Sequence, residues 1–549
     1  MTRHASHTRL AAAALLTLAL VASGCSSDKD PADGALSHTD GSRPNTSAGS
    51  LDAPIDRDEA SAGIAATDDG EAEQDAAMPG AATPGALAHP LPDDEPVEPE
   101  RPTTGLNPFV ATAVDHLSTF GLDVDTVSYT RIRQALLERG TLPDPVEVRI
   151  EEVVNAVDYG YDADPSATFT VTADGAAWPW GTADGTFLLR IGITTPTPER
   201  RDATNLVFVV DTSGSMDRPD RLPLARQALG VLVENLTAAD TVAIVTYDDT
   251  ARPVLPPTPA DQPGVILDAI DQLTPGGSTN LAGGLELGYQ LARDMADDGQ
   301  QTRVIILSDG IANVGNSTPE AVLAQIGDHV RDGIDLTTVG FGLTFNDPLM
   351  EQVADQGNGV AVYIDGLQEA QRVFGQQLTA TLQTIAMDAR VQVDFNAELI
   401  DSYRLIGYEN RDIADEDFRD PDTDAGEIGA GHAVTALYEV RLADRDPAKV
   451  ADGDIAVIQL RWVDPADGRT TETAFGVPVT DLTHLWDEAT ASLRLAGTAA
   501  AWAETLRGSP HTTADLAQLA GEADRIAAFV PDQPQVAELA DLIQRSAQL

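Results

Sequence analysis

Residues 205–216 read NLVFVVDTSGSM: a run of apolar residues, then an aspartate, then hydroxyl side chains around a glycine. The run is continuous, not alternating, as a strand covered by helices on both faces requires. Similar runs recur at 241–247 (TVAIVTY), 303–308 (RVIILS), 335–341 (DLTTVGF) and 360–364 (VAVYI). Between them, the stretches near 222–236, 263–272, 281–297, 319–332 and 367–386 carry helical spacing. This succession over 203–386 predicts an α/β domain on a doubly wound parallel sheet, Rossmann-like in its winding.

In such a sheet ligands sit at the carboxyl ends of the strands, where Asp211 falls. Asp211, Ser213 and Ser215 alternate along the loop, so an extended backbone points all three toward one locus, and Gly214 permits a tight turn. Two further oxygen donors stand at equivalent ends: Thr279, in the turn Gly276-Gly277-Ser278-Thr279, and Asp309, in Ser308-Asp309-Gly310. Hydroxyls and carboxylates without His or Cys suit a hard cation, Mg²⁺ before zinc or copper, with Ca²⁺ or Mn²⁺ as alternatives.

The set Asp211, Ser213, Ser215, Thr279 and Asp309 resembles the complete metal-ion-dependent adhesion site (MIDAS) of von Willebrand factor type A (VWA) domains. The resemblance implies that the serines and the threonine approach the metal directly and that the aspartates act largely through water. It also implies one position left for an acidic side chain of a protein partner. Neutral hydroxyls leave more of the cation's charge unneutralised than carboxylates would, so a carboxylate supplied in trans completes the shell. From Asn107 onward, about 440 residues are similar to bacterial VWA lipoproteins, through STFGLDVDTVSYT (118–130), VRIEEVVNAVDYGY (148–161), YRLIGYENR (403–411) and DAGEIGAGHAVTALYE (424–439). That resemblance implies a cell-envelope location.

On the N-terminal side, 104–200 forms a small mixed region, the VWA-associated domain of the resemblance. Helices are expected around Ile132, Leu136 and Leu137 and from Val146 to about Ala156, and strands at 167–173 and 186–194. On the C-terminal side, short alternating runs at 389–395, 403–408, 432–440, 455–463 and 473–479 predict a β-sandwich over 388–480. Residues 481–549 predict two or three Ala-rich helices. Because the strand-rich regions flank one inserted domain, they are expected to pair in a shared sandwich.

Residues 1–24 read as a signal peptide: Arg3 and Arg9 precede thirteen apolar or small residues, 10–22, too few to span a bilayer comfortably. Cys25, the single cysteine, follows Ser23 and Gly24 as in the bacterial lipobox, although Ala22 stands where Leu is usual. The expectation is a lipidated Cys25 and membrane attachment, with an ordinary secretory peptide as the alternative. Residues 26–103 hold 18 acidic and 4 basic side chains and no aromatic residue, so 25–103 reads as a disordered acidic linker. As a flexible coil it spans about 50 Å.

Across 549 residues, 34 Lys and Arg oppose 88 Asp and Glu, a formal charge of −54. That balance excludes phosphate-backbone binding, and only Lys29 and Lys449 are lysines. The bias toward Asp and Arg suits either a high-salt habitat or a GC-rich genome. No GxxxxGK[ST], GxGxxG after a strand, HExxH or GxSxG is present. Asp211-Thr212-Ser213 resembles the nucleophile loop of haloacid-dehalogenase phosphatases, but Ser213 stands where a second acid is needed. His116, His329, His432, His484 and His511 lack triad-like spacing, and Trp178 and Trp180 read as packing before a carbohydrate platform. The expectation is therefore a lipid-anchored, non-enzymatic binding protein. A structural envelope protein with a fold-stabilising metal comes second, and a metal-dependent hydrolase last.

Overall fold

The computed structural model describes residues 105–549 except 123–124, 199, 297–299, 311–332, 343–349, 351, 355–356, 358, 377–381, 422, 424, 445–452 and 484. The expected signal peptide, Cys25 and linker lie outside the described residues, as do the helix expected at 319–332, His329 and His484.

Strand Thr204–Asp211 is buried along its whole length and lies inside a six-stranded sheet. In spatial order the strands are Ala361–Ile364, Ile334–Phe341, Gln301–Ser308, Thr204–Asp211, Thr241–Tyr247 and Ala251–Pro259. The first five are parallel and the last antiparallel. Leu206, Phe208 and Val210 pack toward the helices Leu222–Asn235 and Pro263–Asp271, while Val207 and Val209 face Leu281–Met295. From the central strand the chain passes to Thr241–Tyr247 on one side and later to Gln301–Ser308 on the other. The carboxyl end carrying Asp211 is therefore the switch point where such sheets open a crevice.

The flanking regions form one sandwich. Residues Thr186–Thr194 pair with Ala433–Leu442, Val110–Ala111 with Ile400–Ile406, and Leu117–Gly121 with Thr384–Phe395. One sheet runs Val110–Ala111, Ile400–Ile406, Ala433–Leu442, Thr186–Thr194, Thr170–Ala177 and Leu482–Thr483. The other contains Ile428–Gly429, Thr384–Phe395, Asp454–Val463 and Thr470–Pro478. Phe187, Leu189, Ile191, Val391, Val393, Phe395, Tyr438 and Ile458 fill the space between them. The parallel-sheet domain is thus inserted between two strands of a sandwich.

Helices Ala491–Arg507, Leu516–Phe529 and Pro534–Ser546 close the chain, with Thr490 and Asp515 capping the first two through Leu493 N (3.2 Å) and Gln518 N (2.8 Å). Their apolar faces share a core with Ile132, Leu136, Ile150 and Val154 of the N-terminal helices. Trp178 and Trp180 are 6% and 7% exposed and meet Trp486 edge to face, which makes them packing residues. Arg133 fastens three regions together, donating to Asp365 (2.5 Å) beside the parallel sheet and to Glu538 (3.1 Å) in the last helix.

Several elements differ from the sequence reading, which has no strand at Val110–Ala111, Leu117–Gly121, Ile428–Gly429 or Leu482–Thr483. Strand Ala251–Pro259 escapes it because Pro253, Pro256, Pro257 and Pro259 break the apolar pattern; proline is tolerated there because this is a sheet edge. The helix expected to run to 386 is shorter at its end: Leu367–Gln371 passes into a π turn, Arg372–Gln376, and Thr384 already begins a strand. That strand start pairs with Ile428–Gly429 before a bulge in which Asp388 takes φ +50°.

Glu151 lies buried against Gly407, near Glu152 and Glu409. Burial pushes its carboxyl up to about 7, and the two neighbouring carboxylates add to the rise. A carboxyl whose pKa is higher in the folded chain favours folding while protonated, and that contribution fades as pH rises from about 4.5 through 7. Glu151→Gln is therefore expected to raise the unfolding free energy by about 3 kcal/mol at pH 8 and by little at pH 4, as read by urea denaturation at the two pH values.

Candidate metal centre

Asp211 ends the central strand with no exposed surface. Its Oδ1 accepts from the backbone N–H of Ser213 (2.8 Å) and its Oδ2 from the Ser308 hydroxyl (2.9 Å), so both oxygens are fixed in direction. Ser213 is extended, and a single 3₁₀ turn, Gly214–Met216, follows it. That turn brings Ser215 Oγ to 2.9 Å from Ser213 Oγ. The two hydroxyls thus face the same point, as the alternation of the loop demands.

A second loop is stitched to the first through backbone. Gly276 N–H donates to Thr212 O (2.7 Å), and Gly214 N–H donates to Gly277 O (2.9 Å). Gly277 takes φ +79°, and a Cβ on it would stand 3.0 Å from Asp249 Oδ2. Asp249 in turn accepts from Ser278 N–H (2.9 Å). Thr279 follows, buried, just ahead of helix Leu281–Met295, whose first turn Asn280 caps through Gly283 N–H (3.1 Å).

Asp309 follows strand Gln301–Ser308, next to the central strand, and has no exposed surface. The buried Arg221 guanidinium is paired with its Oδ2 and also donates to Ser215 O (2.8 Å). The three polar loops therefore meet at one corner: hydroxyl contact joins Ser213 to Ser215, backbone bonds through Gly276 and Gly277 bring in the loop that carries Thr279, and Arg221 holds Asp309.

The donors can be tested against a cation. Burial pushes the Asp211 carboxyl up to about 6; Asp309 adds to the rise, and hydrogen bonds from Ser213 and Ser308 oppose it. A cation at this corner would relieve that charge surplus. The Tyr247 hydroxyl, buried beside Asp211 and Ser308, makes no hydrogen bond of good geometry. Among the described residues no three His, Cys, Asp or Glu side chains gather as a metal cluster, so the hydroxyls would have to supply most of the shell. Two carboxylates and three hydroxyls fit a hard divalent cation.

Residues 206–311 match the model of the von Willebrand factor type A domain, 102–188 the model described as von Willebrand factor, and 380–549 that described as uncharacterized protein YfbK, C-terminal. An uncharacterized protein YfbK of Escherichia coli (strain K12) is 35% identical over 430 residues, covering 74% of this chain and 73% of its own. The chain belongs to the YfbK family of von Willebrand factor type A proteins. A second relative of this YfbK-type chain, the uncharacterized protein sll0103 of Synechocystis sp., is 25% identical over 288 residues, 51% of this chain and 67% of its own. A solved von Willebrand factor type A protein from Catenulispora acidiphila covers 69% of the chain at 16% identity, 87% of its own length, with a TM-score of 0.40. VWA domains generally mediate protein–protein interaction, and this YfbK-type chain carries one.

Arg221, Ser308 and Tyr247 are the residues of this corner that the sequence reading missed. Arg221 had one signal, an arginine six positions past Ser215 at the mouth of a helix. Tyr247 ends a strand that reads only as an apolar run, and Ser308 stands in the sequence reading only as the neighbour of Asp309. Gly277→Ala is expected to destabilise the chain by about 1–2 kcal/mol, because it forces a side chain into the left-handed region against Asp249. Guanidinium unfolding midpoints of the two proteins check it.

Proposed function

We propose that the VWA domain holds Mg²⁺, with Ca²⁺ or Mn²⁺ as alternatives, through Asp211, Ser213, Ser215, Thr279 and Asp309, and that through it the protein binds an acidic side chain of a protein partner. The observation that carries the reading is the convergence of two buried carboxylates with the paired hydroxyls of Ser213 and Ser215 at the sheet's switch point. The cation would supply a Lewis-acidic position for a carboxylate. The chain's own part is to fix the donors: Ser308 and the Ser213 N–H orient Asp211, the 3₁₀ turn sets the two hydroxyls, and Gly277 lets the Thr279 loop approach. A protein of formal charge −54 repels acidic partners at long range, so such recognition needs a local positive centre.

Capture of an envelope partner is expected to be abolished by EDTA, restored by Mg²⁺, and reduced at least tenfold in Asp211→Asn, as measured by pull-down from envelope extracts. Capture that survives both changes would overturn the reading. Equal capture with and without metal, together with a large metal-dependent rise in melting temperature, would favour a structural use of the same site.

The location proposed is the cell envelope, with lipid on Cys25 anchoring the chain and residues 26–103 acting as a spacer. The several acyl chains of a lipoprotein hold firmly where one chain alone is marginal. Cys25→Ser is expected to move the protein from the membrane to the soluble envelope fraction, read by fractionation and immunoblotting. Retention in the membrane fraction would count against the anchor.

A further inference from the structure

Arg221 brings a buried positive charge beside the donors of a candidate cation site. Its side chain is 4% exposed, and one nitrogen, Nη1, serves both the Asp309 carboxylate and the Ser215 carbonyl. The placement is built. Arg221 stands at the mouth of helix Leu222–Asn235, where its own carbonyl accepts the Ala225 N–H (2.8 Å). On the opposite side Gly342 is cut away: a Cβ there would fall 2.7 Å from Arg221 Nε. Gly342 sits at φ +85°, and its carbonyl accepts from the Tyr363 hydroxyl (2.6 Å), which fixes the wall of the cradle.

We propose that Arg221 is a positioning residue that sets the net charge of the metal centre: by pairing with Asp309 it keeps the cation-loaded site positive, so that the site takes a carboxylate from the partner. The inference rests on the metal reading above. Asp211 and Asp309 contribute two negative charges and Arg221 one positive, a sum of −1 that a divalent cation turns into +1. Without the guanidinium the same sum runs from −2 to zero. The loaded site would then hold its metal more tightly yet offer an anion little attraction. Arg221 also ties the Ser213–Ser215 loop to Asp309, but a tie alone predicts the opposite effect on metal affinity, since loosening the donors weakens binding. The guanidinium and the metal are like charges that compete strongly for the same carboxylates in a buried corner, so the electrostatic effect is the larger.

The test uses the full chain in wild-type, Arg221→Met and Arg221→Lys forms. Mn²⁺ affinity is read by electron paramagnetic resonance titration, and carboxylate access by the relaxation that bound Mn²⁺ imposes on acetate protons. Arg221→Met is expected to bind Mn²⁺ on the order of tenfold more tightly and to hold acetate on the order of tenfold more weakly. Arg221→Lys, which restores one charged nitrogen, is expected to stay within about threefold of wild type in both readings. If Arg221→Met weakens both, the residue is only a structural tie; if it changes neither, it has no part in the site. Should Arg221→Met not fold, Arg221→Gln, which keeps a hydrogen-bond donor without the charge, takes its place: tighter Mn²⁺ with weaker acetate supports charge setting, and weakening of both, or no change in either, overturns it. Wild-type protein that takes up no Mn²⁺ overturns the metal reading itself, an outcome separable from any behaviour of the variants.

Discussion

Two carboxylates buried at the ends of adjacent strands impose the arrangement of the upper face of the VWA sheet. Asp211 and Asp309 have no exposed surface, and a buried ion survives only when its charge is answered by partners. The answers come from every side: the Ser213 N–H and the Ser308 hydroxyl for Asp211, and the Arg221 guanidinium for Asp309. Each demands a loop of a particular shape. The 3₁₀ turn after Ser213, the left-handed Gly277 and the cut-away Gly342 are the backbone concessions that let those loops meet. Once they are in place, the two hydroxyls of Ser213 and Ser215 face a common point, which gives the site its hard-oxygen character.

Below that face the continuous apolar strands provide rigidity. Leu206, Phe208 and Val210 on one side and Val207 and Val209 on the other leave the central strand little freedom, so the position of Asp211 is set by packing well before any ligand arrives. The polar corner is an edge feature of an otherwise apolar body. Its surroundings extend outward through Tyr363 to Gln134 of the N-terminal helix, whose Nε2 donates to the Tyr363 hydroxyl (3.1 Å).

Much of this was legible in sequence, for a local reason. A strand covered on both faces is an apolar run, and the donors of the corner are each one residue type at one strand end or turn, so Asp211, Ser213, Ser215, Thr279 and Asp309 could be named without coordinates. What failed to show was decided by neighbours far along the chain. The edge strand Ala251–Pro259 forms because Thr241–Tyr247 offers it a partner, against its own proline content. Thr384 is drawn into a strand by Ile428–Gly429, more than forty residues onward. Arg221 gains its meaning only when Asp309, 88 residues away, arrives beside it.

The insertion of the VWA domain into the sandwich has a mechanical consequence. The domain is joined covalently through two chain segments, and the sandwich strands nearest to them, Thr186–Thr194 and Thr384–Phe395, are interior strands of different sheets. Each is hydrogen-bonded on both sides, to Thr170–Ala177 and Ala433–Leu442 in one sheet and to Leu117–Gly121 and Asp454–Val463 in the other. A pull on the domain is therefore shared between the two sheets, and each attached strand is held by ladders on both of its sides. The double attachment makes the sandwich a clamp that transmits tension without a weak single-chain hinge.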